Sequence, residues 1–324
     1  MLNAFKVWDS AGRNWAFATH NHIGEVSAAH FPLVNETLPD GQHVQTIIST
    51  SILNGSGNYE PAGYVPFKYV PQIEDPSRGY LFTPNQPTVG ENYPYPIIGN
   101  GYDWNLGGRA ETMYHYLKSH PEMSISDMMS LQSNESDYRA QQLVPYILSA
   151  LKGMTMNSTE RTAFDYLSTW NYTTYQNEIG ITVYYYFIDE LYNLSIDNIQ
   201  FQHGINAHIS GDSPASTIAY LAKYDPNSMW LNGNFTALAR QSFTSAIGFL
   251  ESNLGNPSNW EWGKVHELLL ENTLGINALS VGPIALWGDN HAVSAGYVAH
   301  TIVVPEPYVS VGPSLRFIAS PKNC

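Results

Sequence analysis

The spacing of apolar residues changes twice along this chain, and that change limits the folds open to it. Residues 5–9 and 15–19 flank a turn at 10–14, and the second stretch alternates like the return strand of a β-hairpin. From residue 107, apolar side chains recur every three to four positions, which is typical of amphipathic helices. Short strands and turns return after Gly275. The pattern predicts an α+β fold, and the lack of regular strand–helix alternation disfavours Rossmann and TIM-barrel architectures.

Three successive segments follow from this change. Residues 1–106 form a β-rich segment with long loops, residues 107–272 a mainly helical block, and residues 273–324 a return to β-sheet. The length of the loops up to about residue 79 indicates that they lie across another surface. We find neither an internal repeat nor a low-complexity linker, so we expect one structural unit.

Individual helices are predicted inside the helical block. Ser124–Asp127 resembles a capping box, in which a serine at the helix start is followed three residues later by an acidic side chain. The other stretches predicted as helices are 110–117, 138–151, 160–170, 179–192, 242–250 and 264–270.

Acidic residues outnumber basic ones, with 28 Asp and Glu against 14 Lys and Arg and a formal net charge of −14. Binding to nucleic acid or to an anionic membrane surface needs a basic patch, so this balance argues against both partners. The hydrophobic content of 43% allows a substantial core and argues against disorder. The sequence has no apolar run of transmembrane length.

The low content of charged residues points to a location outside the cytoplasm. Charged residues make up 13% of the chain, about half the usual share, and such a surface loses less interaction energy when the external pH falls. The N-x-[ST] sequons point the same way, and they begin at Asn35, Asn54, Asn134, Asn157, Asn171, Asn193 and Asn234. No signal peptide begins at Met1, so we expect that the export signal of such a protein would lie upstream of this chain. We expect an extracellular, cell-surface or periplasmic protein, without an internal disulfide because Cys324 is the single cysteine.

One serine lies in a segment that approximates the nucleophile elbow of hydrolases. Gly211-Asp212-Ser213-Pro214-Ala215 fits the pattern G-x-S-x-[GA]. That elbow uses the backbone N–H of the residue after the serine in its oxyanion hole. Here this residue is Pro214, which has no N–H. We therefore interpret the segment as a turn.

Two histidines at a predicted strand end suggest a different chemistry. His20 and His22 alternate, which would place both imidazoles on one face, as in some metal-dependent amidohydrolases. Such enzymes need further histidine and aspartate ligands around a βα barrel, and the sequence does not show them. Surface histidines are the simpler interpretation, and a metal-dependent amidohydrolase using His20 and His22 stays an alternative.

The segment Trp260–His266 has the sequence WEWGKVH. By its chemistry alone, His266 is more often a hydrogen-bonded structural residue than a catalyst. The string as a whole resembles the W-x-W-G-x-x-H segment of the penicillin acylase family, in the N-terminal-nucleophile (Ntn) hydrolase class. Further segments resemble that family in the same order, namely 7–17, 63–67, 75–80, 83–86, 108–117, 126–145, 287–289 and 312–316.

The resemblance implies both a fold and a mechanism. The fold would be part of the αββα sandwich of Ntn hydrolases, with the helical block inserted between β-rich segments. Enzymes of this family hydrolyse amides such as penicillin side chains or acyl-homoserine lactones. An N-terminal serine is the nucleophile, and its own α-amino group serves as the base. A backbone N–H and an asparagine amide stabilise the oxyanion.

Two site residues follow from the resemblance. The family's oxyanion asparagine falls on Asn85, and its active-site arginine falls on Arg109. The carboxamide of Asn85 can donate a hydrogen bond without being protonated, and Pro84 and Pro87 on either side would hold it in place. Asp75 departs from the family pattern, which has asparagine at that position.

The largest departure concerns the nucleophile. The chain begins downstream of the position of the family's serine, so we expect an interior part of the large (β) chain that is inactive alone. An upstream acylase segment or a separate chain would supply the serine, and the substrate would be a small amide. No cofactor is expected in this chain, and the resemblance allows a structural calcium ion in the complete enzyme, bound mainly by segments outside this chain.

Two further expectations accompany this hypothesis. An isolated piece of a layered fold would expose sheet edges and an apolar face, so self-association is expected. A stand-alone binding or structural protein that kept the architecture and lost the chemistry is the second alternative.

Overall fold

The computed structural model describes residues 2–8, 12–28, 30–37, 43–47, 62–90, 92–95, 107–204, 213–298, 308–313 and 315–321. The chain divides into two compact units. The first comprises residues 1–106, 117–121 and 319–324, and the second comprises residues 107–116 and 122–318. Helices and strands occur together, which confirms the predicted α+β class. The division at residues 106 and 272 into three segments of one structural unit stays a prediction.

Two small antiparallel sheets lie in the first unit. Their strands are β1 (Arg13–Ala18), β2 (Ile23–Ala28), β3 (Pro32–Thr37), β4 (His43–Ile47), β5 (Gly63–Tyr64) and β6 (Gln72–Glu74). One sheet has the order β1-β2-β6, with Arg13 opposite Ala28, and the other has the order β4-β3-β5. A turn joins β1 to β2, in which the Thr19 N–H donates to the His22 carbonyl oxygen at 2.8 Å.

The predicted pairing of residues 5–9 with residues 15–19 is wrong. Leu2–Val7 is a 3₁₀ helix, and the strand that pairs with β1 is β2. Aromatic packing explains the difference, since the Phe5 and Trp8 rings lie 5.8 and 5.1 Å from the Trp15 ring. The segment therefore packs against the sheet instead of extending it. Residue 9 of the predicted strand and residues 10 and 11 of the predicted turn lie outside the described residues.

The described helices are α1 (Gly108–Ser119), α2 (Ile125–Gln132), α3 (Tyr138–Leu151), α4 (Ser158–Thr169), α5 (Gly180–Tyr192), α6 (Asn198–Gln202), α7 (Ser213–Tyr224) and α8 (Phe235–Leu254). The capping box at the start of α2 is confirmed. Ser124 Oγ accepts from the Asp127 N–H at 3.1 Å, and the Asp127 carboxylate accepts from the Ser124 N–H at 2.8 Å. None of the described helices is both long and apolar enough to span a lipid bilayer.

Helix α5 lies inside the core of the second unit. Eleven of its 13 residues are buried, which is the pattern of a helix enclosed on all sides. Helices α4 and α8 pack against it. Its first residue must be small, because a Cβ at Gly180 would lie 2.4 Å from the Cβ of Trp170. The predicted helix at residues 179–192 is thus confirmed, and its burial is seen only in the structure.

The predicted helix at 264–270 is wrong. A 3₁₀ turn covers Trp262–Lys264, and Glu267–Leu270 is strand β7. This strand pairs with β8 (Val281–Ala285) antiparallel and with β10 (Tyr308–Val311) parallel, and β9 (Tyr297–Val298) completes the order β8-β7-β10-β9. A short run of leucines fits a strand as well as a helix, so periodicity could not separate the two.

The segment around Ser213 begins a helix and is not an isolated turn. Ser213 is the first residue of α7, and Pro214 follows it. Proline is tolerated in the first turn of a helix, because the N–H that it lacks would have no intrahelical partner there. Gly211 and Asp212 lie outside the described residues.

Candidate functional site

Asn85 occupies a tight turn in the first unit. Its φ angle is +67°, in the left-handed region that asparagine tolerates better than most residues. Pro84 is buried, whereas the Asn85 side chain is exposed. The Gln86 Nε2 atom donates to the Phe82 carbonyl oxygen at 2.9 Å and closes the turn. The backbone of this turn therefore presents the Asn85 side chain at the surface from a fixed support.

A cavity of about 390 Å³ lies beside this turn. Glu25 on β2 lines it, and burial raises the pKa of this carboxyl while the nearby Arg78 opposes the rise. Arg78 is held by a 2.9 Å hydrogen bond from Nε to the Tyr80 carbonyl oxygen. Gln86 and Thr88 also line the cavity, and their buried Oε1 and Oγ1 atoms have no hydrogen-bond partner among the described residues. The cavity thus combines apolar walls with a small number of polar atoms.

Arg109 is the second residue of α1, in the second unit. Its guanidinium carbon lies 5.4 Å from the centroid of the Tyr297 ring, a cation–π contact. The start of the helix is fixed by packing, since a Cβ at Gly108 would lie 3.1 Å from the Cβ and Nδ1 atoms of His291. Asn85 and Arg109 thus lie in different units, and their common site stays a prediction.

The second unit contains a cluster of buried carboxyl groups that the sequence did not predict. Burial raises the pKa of Glu135 to about 7, with the Ser294 and Thr174 hydroxyls opposing the rise. Asp137 caps α3 by accepting from the Ala140 N–H at 2.9 Å. Burial, and then the neighbouring carboxylate of Asp289, raise the pKa of Asp137 well above its usual value.

Asp289 is the third residue of this cluster and lies in the segment that follows strand β8. One of its carboxylate oxygens accepts from the His291 N–H at 2.8 Å and from the Ala292 N–H at 2.6 Å. The signal in the sequence was weak: Asp137 stands one residue before an apolar helix, but nothing local brings Asp289 to it. The pairing depends on contacts between residues about 150 positions apart, as counted from the two residue numbers.

His266 is a structural histidine, as its chemistry predicted. It is fully buried and its ring stacks on Trp262, with 4.5 Å between the ring centroids. Its Nδ1 and Nε2 atoms lie 2.9 and 3.1 Å from the carbonyl oxygens of Leu286 and Gly296. Burial lowers the pKa of this imidazole. The histidine therefore connects the 3₁₀ turn to two chain segments beside the sheet.

His22 and Asp75 form an exposed pair in the first unit. The His22 Nδ1 and Asp75 Oδ2 atoms are 2.6 Å apart, and the Asp75 Oδ1 atom accepts from the Ile23 N–H at 3.0 Å. The hydrogen bond to Asp75 raises the pKa of His22. This pairing gives Asp75, which departs from the family's asparagine, a physical role. Among the described residues no group of three His, Cys, Asp or Glu side chains could hold a metal ion, so His20 and His22 lack further ligands there.

Comparison with known proteins shows the family and the fold of this chain. Residues 1–323 match the family model described as penicillin amidase. The fold is similar to that of the thermostable penicillin G acylase from Alcaligenes faecalis, with a TM-score of 0.55 and 15% sequence identity. The alignment covers 86% of this chain and 54% of that chain, so this chain spans about half the length of the acylase chain. Because the family model matches almost every residue, the chain belongs to the penicillin amidase family.

Proposed function

We propose that this chain is part of an acylase-type amide hydrolase in which Asn85 donates a hydrogen bond to the tetrahedral oxyanion. The observation that carries this proposal is the geometry of the Asn85 turn. The residue has a left-handed backbone, an exposed side chain and a hydrogen-bonded brace from Gln86 to Phe82. A non-glycine residue held in a sparsely populated backbone conformation is typical of a functional site.

The chemistry of a carboxamide suits this role. Attack on an amide carbonyl places negative charge on its oxygen, and a preorganised donor stabilises that charge. The NH₂ group of Asn85 is neutral, so its capacity to donate a hydrogen bond does not depend on pH. Pro84 and Pro87 restrict the backbone on both sides, so little reorganisation is needed when the oxyanion forms.

Arg109 would supply the positive charge of the site. The Tyr297 ring holds its guanidinium, and the packing of Gly108 on His291 fixes the backbone from which it extends. A planar guanidinium in a fixed position orients carbonyl or carboxylate oxygens by paired hydrogen bonds. We infer that Arg109 orients the substrate and the nucleophile's α-amino group in the complete enzyme.

The serine nucleophile would come from acylase sequence outside this chain, either joined upstream or as a separate chain. The coverage of about half of a penicillin G acylase chain supports this arrangement. On this proposal the chain by itself forms no acyl-enzyme, and the complete protein hydrolyses a small amide. The low content of charged residues supports a location outside the cytoplasm.

The experiment compares this chain alone with the protein purified from its natural host. Substrates are phenylacetyl and long-chain acyl amides of one chromogenic amine. We expect turnover by the native protein and none by the chain alone. In the native protein, Asn85→Ala should lower kcat by about 10²–10³ with a small change in KM. Asn92→Ala is the matched control, because Asn92 is another exposed asparagine in the same region.

Each alternative gives a different result. An Asn85→Ala variant with the kcat of the parent enzyme would refute the oxyanion role. A native protein that binds amides without turnover would favour the stand-alone binding protein. Turnover by the chain alone that depends on added metal would favour the amidohydrolase that uses His20 and His22.

A further inference from the structure

A second cavity, of about 420 Å³, lies beside the sheet of the second unit. Leu268 of β7, Val309 of β10 and Leu286 give it apolar walls, and Trp287 stands at its side with 44% of its surface exposed. The size falls within the usual range for sites that hold small molecules. The cavity involves neither Asn85 nor Arg109, so the inference below is independent of the proposed function.

One cationic side chain lines this apolar cavity. Arg316 is held in position by two hydrogen bonds, from Nη2 to Ser294 Oγ at 2.6 Å and from Nη1 to the Gln132 carbonyl oxygen. These bonds use two of the five N–H donors of the guanidinium. Arg316 makes no ion pair with a carboxylate in the part of the chain that the structure describes. Arg316 is exposed to solvent, and its two hydrogen bonds hold a positive charge at the wall of the cavity.

Ser294, which lines the cavity, contacts three side chains, namely Arg316, Trp287 and the buried Glu135. Its Oγ atom accepts from Trp287 Nε1 at 3.3 Å as well as from Arg316. Ser294 also interacts with Glu135, which is only 5% exposed. The charge of Arg316 lowers the pKa of Glu135, so an ionised Glu135 would compete for Arg316 with any anion in the cavity.

We propose that this cavity binds an amphipathic monoanion, with its carboxylate on Arg316 and an aryl or acyl body against Leu268, Leu286 and Trp287. Charge complementarity carries the choice of an anion, because a cationic ligand would be repelled and a neutral one would form no charge-assisted hydrogen bond with the remaining guanidinium donors. An apolar body of this size gains from burial against the leucine and tryptophan side chains.

Glu135 makes the binding depend on pH. The groups that face it are the Ser294 and Thr174 hydroxyls, the Asp289 carboxylate and the Arg316 guanidinium. With a pKa of about 7, Glu135 is neutral in mild acid and leaves Arg316 to the ligand. When Glu135 ionises, it attracts the same guanidinium. Affinity for the anion therefore falls as the pH rises through 7.

The test is calorimetric titration of the full chain with octanoate, octan-1-ol and octylammonium at about pH 6. Octanoate should bind about tenfold or more tightly than the alcohol, and octylammonium more weakly than either. Arg316→Met should remove the preference for octanoate, while Arg161→Met, at an exposed arginine elsewhere, should keep it. Ala295→Leu, at a position that lines the cavity, should weaken all three ligands.

The pH arm uses the same titration at about pH 8. Wild-type protein should bind octanoate several-fold less tightly there, and Glu135→Gln should remove that difference. Equal binding of octanoate and octan-1-ol, no binding of octanoate, or a preference that survives in Arg316→Met would overturn the proposal. The comparison of the three ligands on the wild-type protein tests the preference for an anion even where a variant does not fold.

Discussion

Replacing Glu135 by glutamine tests whether the buried carboxyl cluster destabilises the protein above neutral pH. Burial raises the pKa of Glu135 from near 4.5 to about 7 in the folded chain. Between these two values the native state holds a proton that the unfolded chain has lost. The free energy of unfolding of the wild-type protein therefore falls as the pH rises through this window. Glutamine does not titrate, so the variant lacks this loss.

The size of the change in the free energy of unfolding follows from the difference between the two pKa values of Glu135. Each tenfold change in an equilibrium constant corresponds to about 1.4 kcal/mol, so the full effect is about 3 kcal/mol. Glu135 is 5% exposed, so solvent screening removes little of it. Glutamine keeps an oxygen that can accept from Thr174 Oγ1, which donates to Glu135 Oε2 at 3.1 Å. The loss of packing in Glu135→Gln is therefore small.

The assay is urea-induced unfolding of wild type and Glu135→Gln at several values from about pH 5 to about pH 8. The two proteins should have similar stability at the acid end, and the variant should gain by up to about 3 kcal/mol above neutral pH. Glu122→Gln, at an exposed glutamate, should show no such trend. A stability difference that stays constant with pH would refute the reasoning, as would a variant that loses stability as the pH rises.

Two further predictions concern backbone packing and the exposed histidine. Gly180→Ala places a Cβ 2.4 Å from the Cβ of Trp170 and should cost about 1–3 kcal/mol in chemical denaturation. Gly248→Ala, in α8 where a Cβ meets no atom within 4 Å, should stabilise the protein by up to about 1 kcal/mol. Because the hydrogen bond to Asp75 raises the pKa of His22, Asp75→Asn should lower that pKa in an NMR titration. An unchanged His22 titration would show that the pair does not form in solution.

Local signals predicted the fold class and most helices. The period of apolar residues gave α3 at 138–151 and α5 within 179–192, because both helices bury a wide apolar surface. The capping box at Ser124 gave the start of α2, since this signal depends only on residues three positions apart.

Pairing between distant segments could not be predicted in the same way. The run Leu268–Leu270 is compatible with helix and strand, and its pairing with β8 and β10 decides between them. Residues 5–9 satisfy a strand pattern, yet their aromatic rings gain more by packing on Trp15 than a strand edge would give. For the candidate site, the resemblance located Asn85 and Arg109, while their chemical roles remain predictions. The carboxyl cluster was missed because Asp137 and Asp289 meet only in the folded chain.

The position of the carboxyl cluster of Glu135, Asp137 and Asp289 gives a physical reason why carboxyl groups are buried there. Three chain segments meet there by backbone hydrogen bonds, in which the N–H groups of Thr174, Gly288 and Ser294 donate to the carbonyl oxygens of Glu135, Thr174 and Asn134.

Further N–H groups at this junction, those of Ala140, His291 and Ala292, donate to the carboxyl groups of Asp137 and Asp289. An apolar side chain would leave these buried donors without acceptors, which costs about 1–3 kcal/mol for each donor. The two aspartates therefore join the start of α3 to the segment that follows the sheet strand β8. Glu135 differs from the two aspartates, because it accepts no backbone N–H in the described hydrogen bonds. Glutamine can therefore replace it and raise the stability of the protein above neutral pH.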